Sequence, residues 1–217
     1  MTEPSDALRD RVNPDWSPSV RATITRSLAA IDLVYEGRKP SGRPAETQRE
    51  RDADKAATLK SMADLPGRLI RKSEVELQNH RRQLETDRQS MIANAMVHDT
   101  PREAQLAAEA RAYLRTLSPG DKLKVLQGPN ASKLMQRAAL EADPALINGM
   151  DSPSLHRVQE DFLQKHFPAA VASLADREVA IEHADASVRM AKDQLARTVQ
   201  LPPHDFESYY SEILPSK

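Results

Sequence analysis

An all-α fold is predicted by three features of the sequence: proline at helix starts, glycine at connections, and no sustained alternation of β-branched residues. Ser17-Pro18, Thr100-Pro101, Ser118-Pro119, Asp143-Pro144 and Ser152-Pro153 each put a capping side chain before a proline. The cap oxygen accepts from exposed first-turn amides, and proline fits next because its missing N–H had no partner to lose. Glu103, three residues after Thr100, completes a capping box; Asp121 stands at the same offset from Ser118. Gly37, Gly42, Gly67, Gly120, Gly128 and Gly149 all fall at predicted ends or connections. Composition agrees: of 217 residues 39% are hydrophobic but only 4% aromatic, and 29% are charged. Much of the apolar share is alanine, which suits helices with thin apolar stripes and wide wet faces.

In chain order, residues 1–16 are polar and proline-containing, and are expected to be extended. Val20, Ile24, Leu28, Ile31 and Val34 mark a helix over about 18–36. The stretch 38–44 holds two prolines, a glycine and three basic residues and reads as a linker, so that 1–44 forms an N-terminal segment. A polar helix over about 45–64, broken at Leu65-Pro66-Gly67, leads into a long helix over about 67–98, which makes 45–100 a second segment. Residues 101–167 are expected to form a compact head of short helices, with Leu106, Ala110, Leu114, Leu117, Leu123, Leu126, Leu134, Met135, Ala138, Leu146, Ile147, Leu155, Val158, Phe162 and Phe167 as its core. A second long helix fills 168–201 and is stopped by Pro202-Pro203, leaving a tail at 202–217.

The two long helices carry heptad seams. Ile70, Leu77, Leu84 and Met91 recur every seven residues, as do Leu174, Ile181, Val188 and Leu195. At 1.5 Å per residue each helix is about 45–50 Å long. The connecting head makes an antiparallel, coiled-coil-like hairpin within one chain the simplest arrangement; pairing with another subunit competes with it.

Several chemistries lack their signatures. The chain has no cysteine, hence no disulfide framework, thiolate metal site or cysteine nucleophile. The glycines are isolated, and neither a phosphate-binding loop nor a nucleophile elbow occurs. The six histidines offer no i, i+4 pair for a metal, and Glu182 and His183 are expected to face solvent. Carboxylates are placed on polar faces. No catalytic, cofactor-binding or metal-ligating residue is therefore assigned, and the chain is expected not to be an enzyme and to need no cofactor. No apolar stretch reads as a signal peptide or membrane span, so a cytoplasmic or virion location is expected.

Two stretches point to partners. Between Arg38 and Lys72 ten Lys/Arg face five acids, with His80-Arg81-Arg82 beyond. A basic face over 38–82 could contact a cellular protein or nucleic acid, but it lacks interleaved aromatics and its net charge is diluted by acids at helical spacing, so nucleic acid is not favoured. The overall formal charge is −1. In the tail, Phe206, Tyr209, Tyr210, Ile213 and Leu214 occupy one face of a short helix. Aromatics are scarce elsewhere, so this face is expected to anchor a protein partner, in a multi-subunit assembly or homo-oligomer, with folding back onto the chain as the alternative.

Leu117-Ser118-Pro119-Gly120-Asp121-Lys122-Leu123 and Ser152-Pro153-Ser154-Leu155, followed by the long helix over 168–200, give the chain a layout that resembles the minor α-helical virion and assembly proteins of tailed bacteriophages. The resemblance is one of architecture and carries over no functional residue. It implies a non-enzymatic internal, head–tail-junction or scaffold-like component.

Overall fold

The computed structural model describes residues 6–36, 63–98, 100–128, 131–142, 150–199 and 203–212. Among these residues the fold is all-α, with no strand. The helices are α1 (Asp6–Arg9), α2 (Pro18–Glu36), α3 (Arg68–Ala95), α4 (Pro101–Thr116), α5 (Pro119–Gln127), α6 (Lys133–Glu141), α7 (Ser152–His166), α8 (Pro168–Val199) and α9 (Pro203–Glu212). No helix is long and apolar enough to cross a membrane among the described residues. The chain divides into two units, one of residues 1–84 and 176–217, the other of residues 85–175. Both boundaries fall inside long helices, α3 and α8.

The caps show why the short helices begin where they do. Thr100 Oγ1 accepts from the Glu103 amide at 3.2 Å, and Ser118 Oγ from the Asp121 amide at 3.2 Å. At α7 the cap is Asp151, one residue before the Ser152 expected from the sequence; its carboxylate accepts from the Ser154 amide at 3.0 Å. Carboxylate is the better acceptor toward the positive helix end, and Pro153 is still accommodated in the first turn. The Ser154 hydroxyl first, and its amide after it, hold the Asp151 carboxyl below the usual carboxylate range. Ser132 caps α6 by accepting from the Met135 amide at 3.2 Å, a start the proline pattern does not mark. Ser132→Ala is expected to cost about 1 kcal/mol, read as a shift in urea midpoint at unchanged slope. The Asp143-Pro144 cap, Gly37, Gly42 and Gly149, the 38–44 linker, most of the expected 45–64 helix, and core candidates Leu146 and Ile147 lie outside the described residues.

At Gly128, which closes α5, an added Cβ would stand 2.6 Å from the Lys124 carbonyl oxygen, so the close approach requires glycine. The sequence expects a break at Leu65-Pro66-Gly67. Instead Ala63–Gly67 forms one π-helical turn running straight into α3 and lying against α2. A wider turn accommodates a proline that cannot donate to the helical ladder.

In the first unit, α2 buries Val20, Ile24, Leu28, Ile31 and Val34. Ile70, Leu77 and Leu84 of α3 and Ile181, Val188 and Leu195 of α8 are buried as well. Two ion pairs, Lys192–Glu74 at 3.7 Å and Arg81–Asp185 at 2.8 Å, run α3 and α8 in opposite directions here. The interior is wider than the two-helix seam expected from the heptads, because α2 joins it. Thr23 and Ser27 of α2 and Ser73 of α3 are fully buried. The Ser27 and Ser73 hydroxyls each donate to Thr23 O, that of Ser73 reaching across at 3.4 Å, while the one Thr23 hydroxyl proton is shared between Ser19 O at 3.1 Å and the Glu76 carboxylate at 2.9 Å. Beside them the Thr23 hydroxyl and Arg26 bond the Glu76 carboxylate. Burial alone would raise the Glu76 pKa; the Arg26 and Thr23 bonds outweigh it and hold it below normal.

The last members of the two seams belong to the second unit. Met91 is half-buried against Ala95, Phe162 and Leu163, and Leu174 is half-buried. The seam does not continue there because α7 supplies Phe162 as the buried partner for α3. The unit's interior comprises that cluster, a second of Leu114, Leu126, Ala139, Met150 and Val158, and a third of Ala107, Ala110 and Ala138 between α4 and α6. Alanine at that last crossing lets two helices approach closely, and α4 and α6 make the most extensive contact of the unit.

Candidate functional site

Phe206 and Tyr210, two of the expected partner anchors, are 3% and 1% exposed within the first unit. Their rings stack 5.6 Å apart at 19°. The Lys192 ammonium lies 4.7 Å from the centre of the Tyr210 ring and the Arg71 guanidinium 5.5 Å from it, so the ring is flanked by cations from α8 and α3. Glu74 accepts from Arg71 at 3.0 Å and pairs with Lys192 at 3.7 Å, while Glu207 of α9 pairs with Lys192 at 3.0 Å. Burial pushes the Tyr210 phenol far above its ordinary pKa, and the nearby Glu74 carboxylate adds to the effect. The hydroxyl lies close enough to Glu74 to feel its charge but closes no well-aligned hydrogen bond. Phe206 and Tyr210 thus hold α9 to its own chain, the alternative that the sequence left open. Ile213 and Leu214 lie outside the described residues, as does the side-chain placement of Tyr209.

The second unit gathers its polar chemistry around α6. Gln136, fully buried, donates to Leu126 O and to the Asp161 carboxylate, both at 2.8 Å, and its Oε1 lies 3.1 Å from His166 Nε2. One amide thereby joins the end of α5, the middle of α7 and the end of α7. Glu141 has His98 Nε2 at 2.8 Å and Arg111 Nη1 at 2.8 Å. Arg137, 4% exposed, lies 3.4 Å from Glu103 and 3.5 Å from His98 Nδ1. The tautomer that suits both neighbours of His98 carries its proton on Nε2, toward Glu141.

Protein-family models, curated proteins and solved structures contain no match to this chain.

Each of these polar groups is bonded to a group on another helix, and the hydrogens involved point along those bonds. Among the described residues no three His, Asp or Glu are placed to hold a metal. A cleft of about 320 Å³ lies between the end of α6 and α7, lined by Leu140, Leu155, His156 and Gln159; His156 pairs there with Glu160 at 3.2 Å. His183, expected to face solvent, is half-buried: its Nε2 lies 3.2 Å from Leu8 O and its ring rests 5.2 Å from that of Trp16. The periodicity of α8 does not reveal this contact because it comes from residues before α2. Gln136 and Glu141 escaped the sequence reading for a related reason. On an amphipathic α6 both read as ordinary polar positions, and only the packing of neighbouring helices buries Gln136 fully and Glu141 in part.

His166 gives the node a pH dependence. Burial lowers its pKa, and the charges of Lys165, Lys133 and Arg137 lower it further, against the opposing pull of Asp161. The folded state thus prefers neutral imidazole. Its contribution is fully present above the unfolded histidine pKa, near 6.5, and is lost as pH falls below that toward the folded value. Thermal melts at pH 7.5 and 5.5 are expected to show a drop in Tm that His166→Gln reduces. An equal drop in both proteins would assign the loss to other groups.

Proposed function

We propose that this chain is a non-enzymatic structural or assembly protein that acts through protein contacts, in its specific form a minor virion component of a tailed phage. The observation that carries the reading is the placement of the polar chemistry. Gln136, Glu141, Arg137, Glu74 and Lys192 each join helices to one another, as in a protein whose work is to hold a shape. Outward-facing apolar side chains also support it: Leu106 and Tyr113, seven residues apart on α4, are 38% and 51% exposed while Ala107, Ala110 and Leu114 of the same helix are buried. Paired aromatic and aliphatic surface is the composition of protein contacts. The phage assignment rests on the resemblance of the 117–123 and 152–155 segments and the helix after them.

The test is native mass spectrometry of the purified chain and of its source particle. The reading expects the chain at a fixed copy number in a larger protein assembly, retained at 0.5 M salt. A chain that is monomeric and absent from every assembly overturns it. Nucleic-acid contact through 38–82 is not adopted. Much of that stretch lies outside the described residues, and within them Arg71 and Arg81 are engaged by Glu74 and Asp185. Binding that collapses steeply with salt would restore it.

A further inference from the structure

We propose that residues 6–16 form a strap that lifts from α2 and α8 as one piece, about Ser17-Pro18, while α2, α3 and α8 stay packed, and that His183 is its catch. The proposal stands on the contacts of this segment and is independent of the assembly reading.

The strap lies on the core without entering it. No residue from 6 to 16 is buried; Leu8, Val12 and Trp16 are half-buried, and α1 buries none of its four residues. Two of its attachments meet on a single side chain of α8. His183 Nε2 lies 3.2 Å from Leu8 O, and the His183 ring rests 5.2 Å from that of Trp16. A carbonyl oxygen only accepts, so the proton of this bond sits on Nε2. Another attachment pairs Arg9 with Asp32 of α2; their side chains are 43% and 30% exposed, and water and salt screen the pair.

The strap keeps its own hydrogen bonds. The amides of Asp10, Val12 and Trp16 donate to the carbonyls of Asp6, Arg9 and Asn13 at 3.0, 3.1 and 3.2 Å, and the Asp15 amide donates to Asn13 Oδ1 at 2.9 Å. All of these survive lifting, so the segment moves whole. The core is equally self-sufficient. Ser17 starts α2 by itself, with Oγ 3.4 Å from the Val20 amide and its carbonyl accepting from Arg21 at 3.1 Å, and Pro18 holds Ser17 in extended backbone. The buried apolar residues of the first unit come from α2, α3, α8 and α9, none from the strap. Lifting frees Trp16 and bares His183, which shares a face of α8 with Ala180 and Ser187 at i−3 and i+4. A low-stability element on a stable core is the kind that opens locally without global unfolding.

Native-state hydrogen exchange of the full chain tests this. The amides of Asp10, Val12 and Trp16 report the strap, and those of Ile24, Leu77 and Val188 the core. The strap amides should exchange at least several-fold faster than the core amides. His183→Ala should speed all three by one common factor, again at least several-fold, while the core amides keep their rates. Fraying of α1 alone would not respond to a side chain on α8. Arg9→Ala, at an exposed pair, should act on the same three amides in the same direction. The chain has no native cysteine, so Arg9→Cys and Asp32→Cys can be joined by a short bismaleimide; this should slow the strap amides of the His183→Ala chain. Trp16, the sole tryptophan, gives a second readout: His183→Ala should raise its quenching by acrylamide. Strap amides that exchange at core rates overturn the proposal. So does a His183→Ala chain whose strap rates are unchanged, whose three factors differ, or whose core rates rise by the same factor.

Discussion

Phe162→Ala is expected to destabilise the second unit by about 3–5 kcal/mol, the range for removing a buried aromatic side chain. Phe162 is fully buried, packs with Ala95 and Leu163 and the half-buried Met91, Ile92 and Phe167, and holds the rings of His166 and Phe167 at 5.2 and 5.8 Å. Its removal leaves a void lined by the side chains of Met91, Ile92, Ala95, Leu163 and Phe167, and the helices that carry them can relax into it only in part. Phe162→Leu fills most of the volume and should cost clearly less. Urea unfolding followed by circular dichroism, with tryptophan fluorescence reporting separately on Trp16 in the first unit, checks both the size and the place of the effect. A loss under 1 kcal/mol would mean that the ring is not a principal support of this interior.

How much of this was legible in the sequence follows from range. The helical class, the starts of α4 and α5, and the stop before α9 are written in a cap, a proline or a period of a few residues. The structure repeats them because first-turn amides must find acceptors wherever the helix lies. Of the eight seam residues marked by heptad spacing, Ile70, Leu77, Leu84, Ile181, Val188 and Leu195 are buried and Met91 and Leu174 half-buried. The identity of what covers them was not legible. That α2 shares the interior depends on Thr23 meeting Ser73 and Glu76, about fifty residues away, and no local period encodes such a meeting. The same limit hid the Gln136 node. A glutamine on a helix is exposed or buried according to how many neighbours arrive, and here α5 and α7 both arrive. Phe206 and Tyr210 mark the boundary case. Their clustering draws attention to the tail, but an aromatic face specifies that something must cover it and leaves open whether the cover belongs to the same chain.

That boundary case gives the last large effect. Truncation after Leu201 is expected to lower the stability of the first unit by several kcal/mol. Heptad reasoning alone would have both seams survive such a truncation untouched. The difference lies in Phe206 and Tyr210, whose rings are almost wholly removed from water. Each aromatic side chain deleted from such a position costs about 3–5 kcal/mol, and deleting the whole helix returns part of that through the ordering entropy no longer required. The ion cluster adds less, since Glu207 is 63% exposed in its side chain and its bond to Lys192 is screened by water and salt. Tyr210→Phe should therefore separate the components. It keeps the ring between Arg71 and Lys192 and removes only a hydroxyl that lacks an aligned partner, so its stability should match or slightly exceed that of the native chain. Tyr210→Ala should reproduce most of the truncation. If Tyr210→Phe instead proves as damaging as Tyr210→Ala, the hydroxyl and Glu74 carry the attachment, and packing of the ring does not.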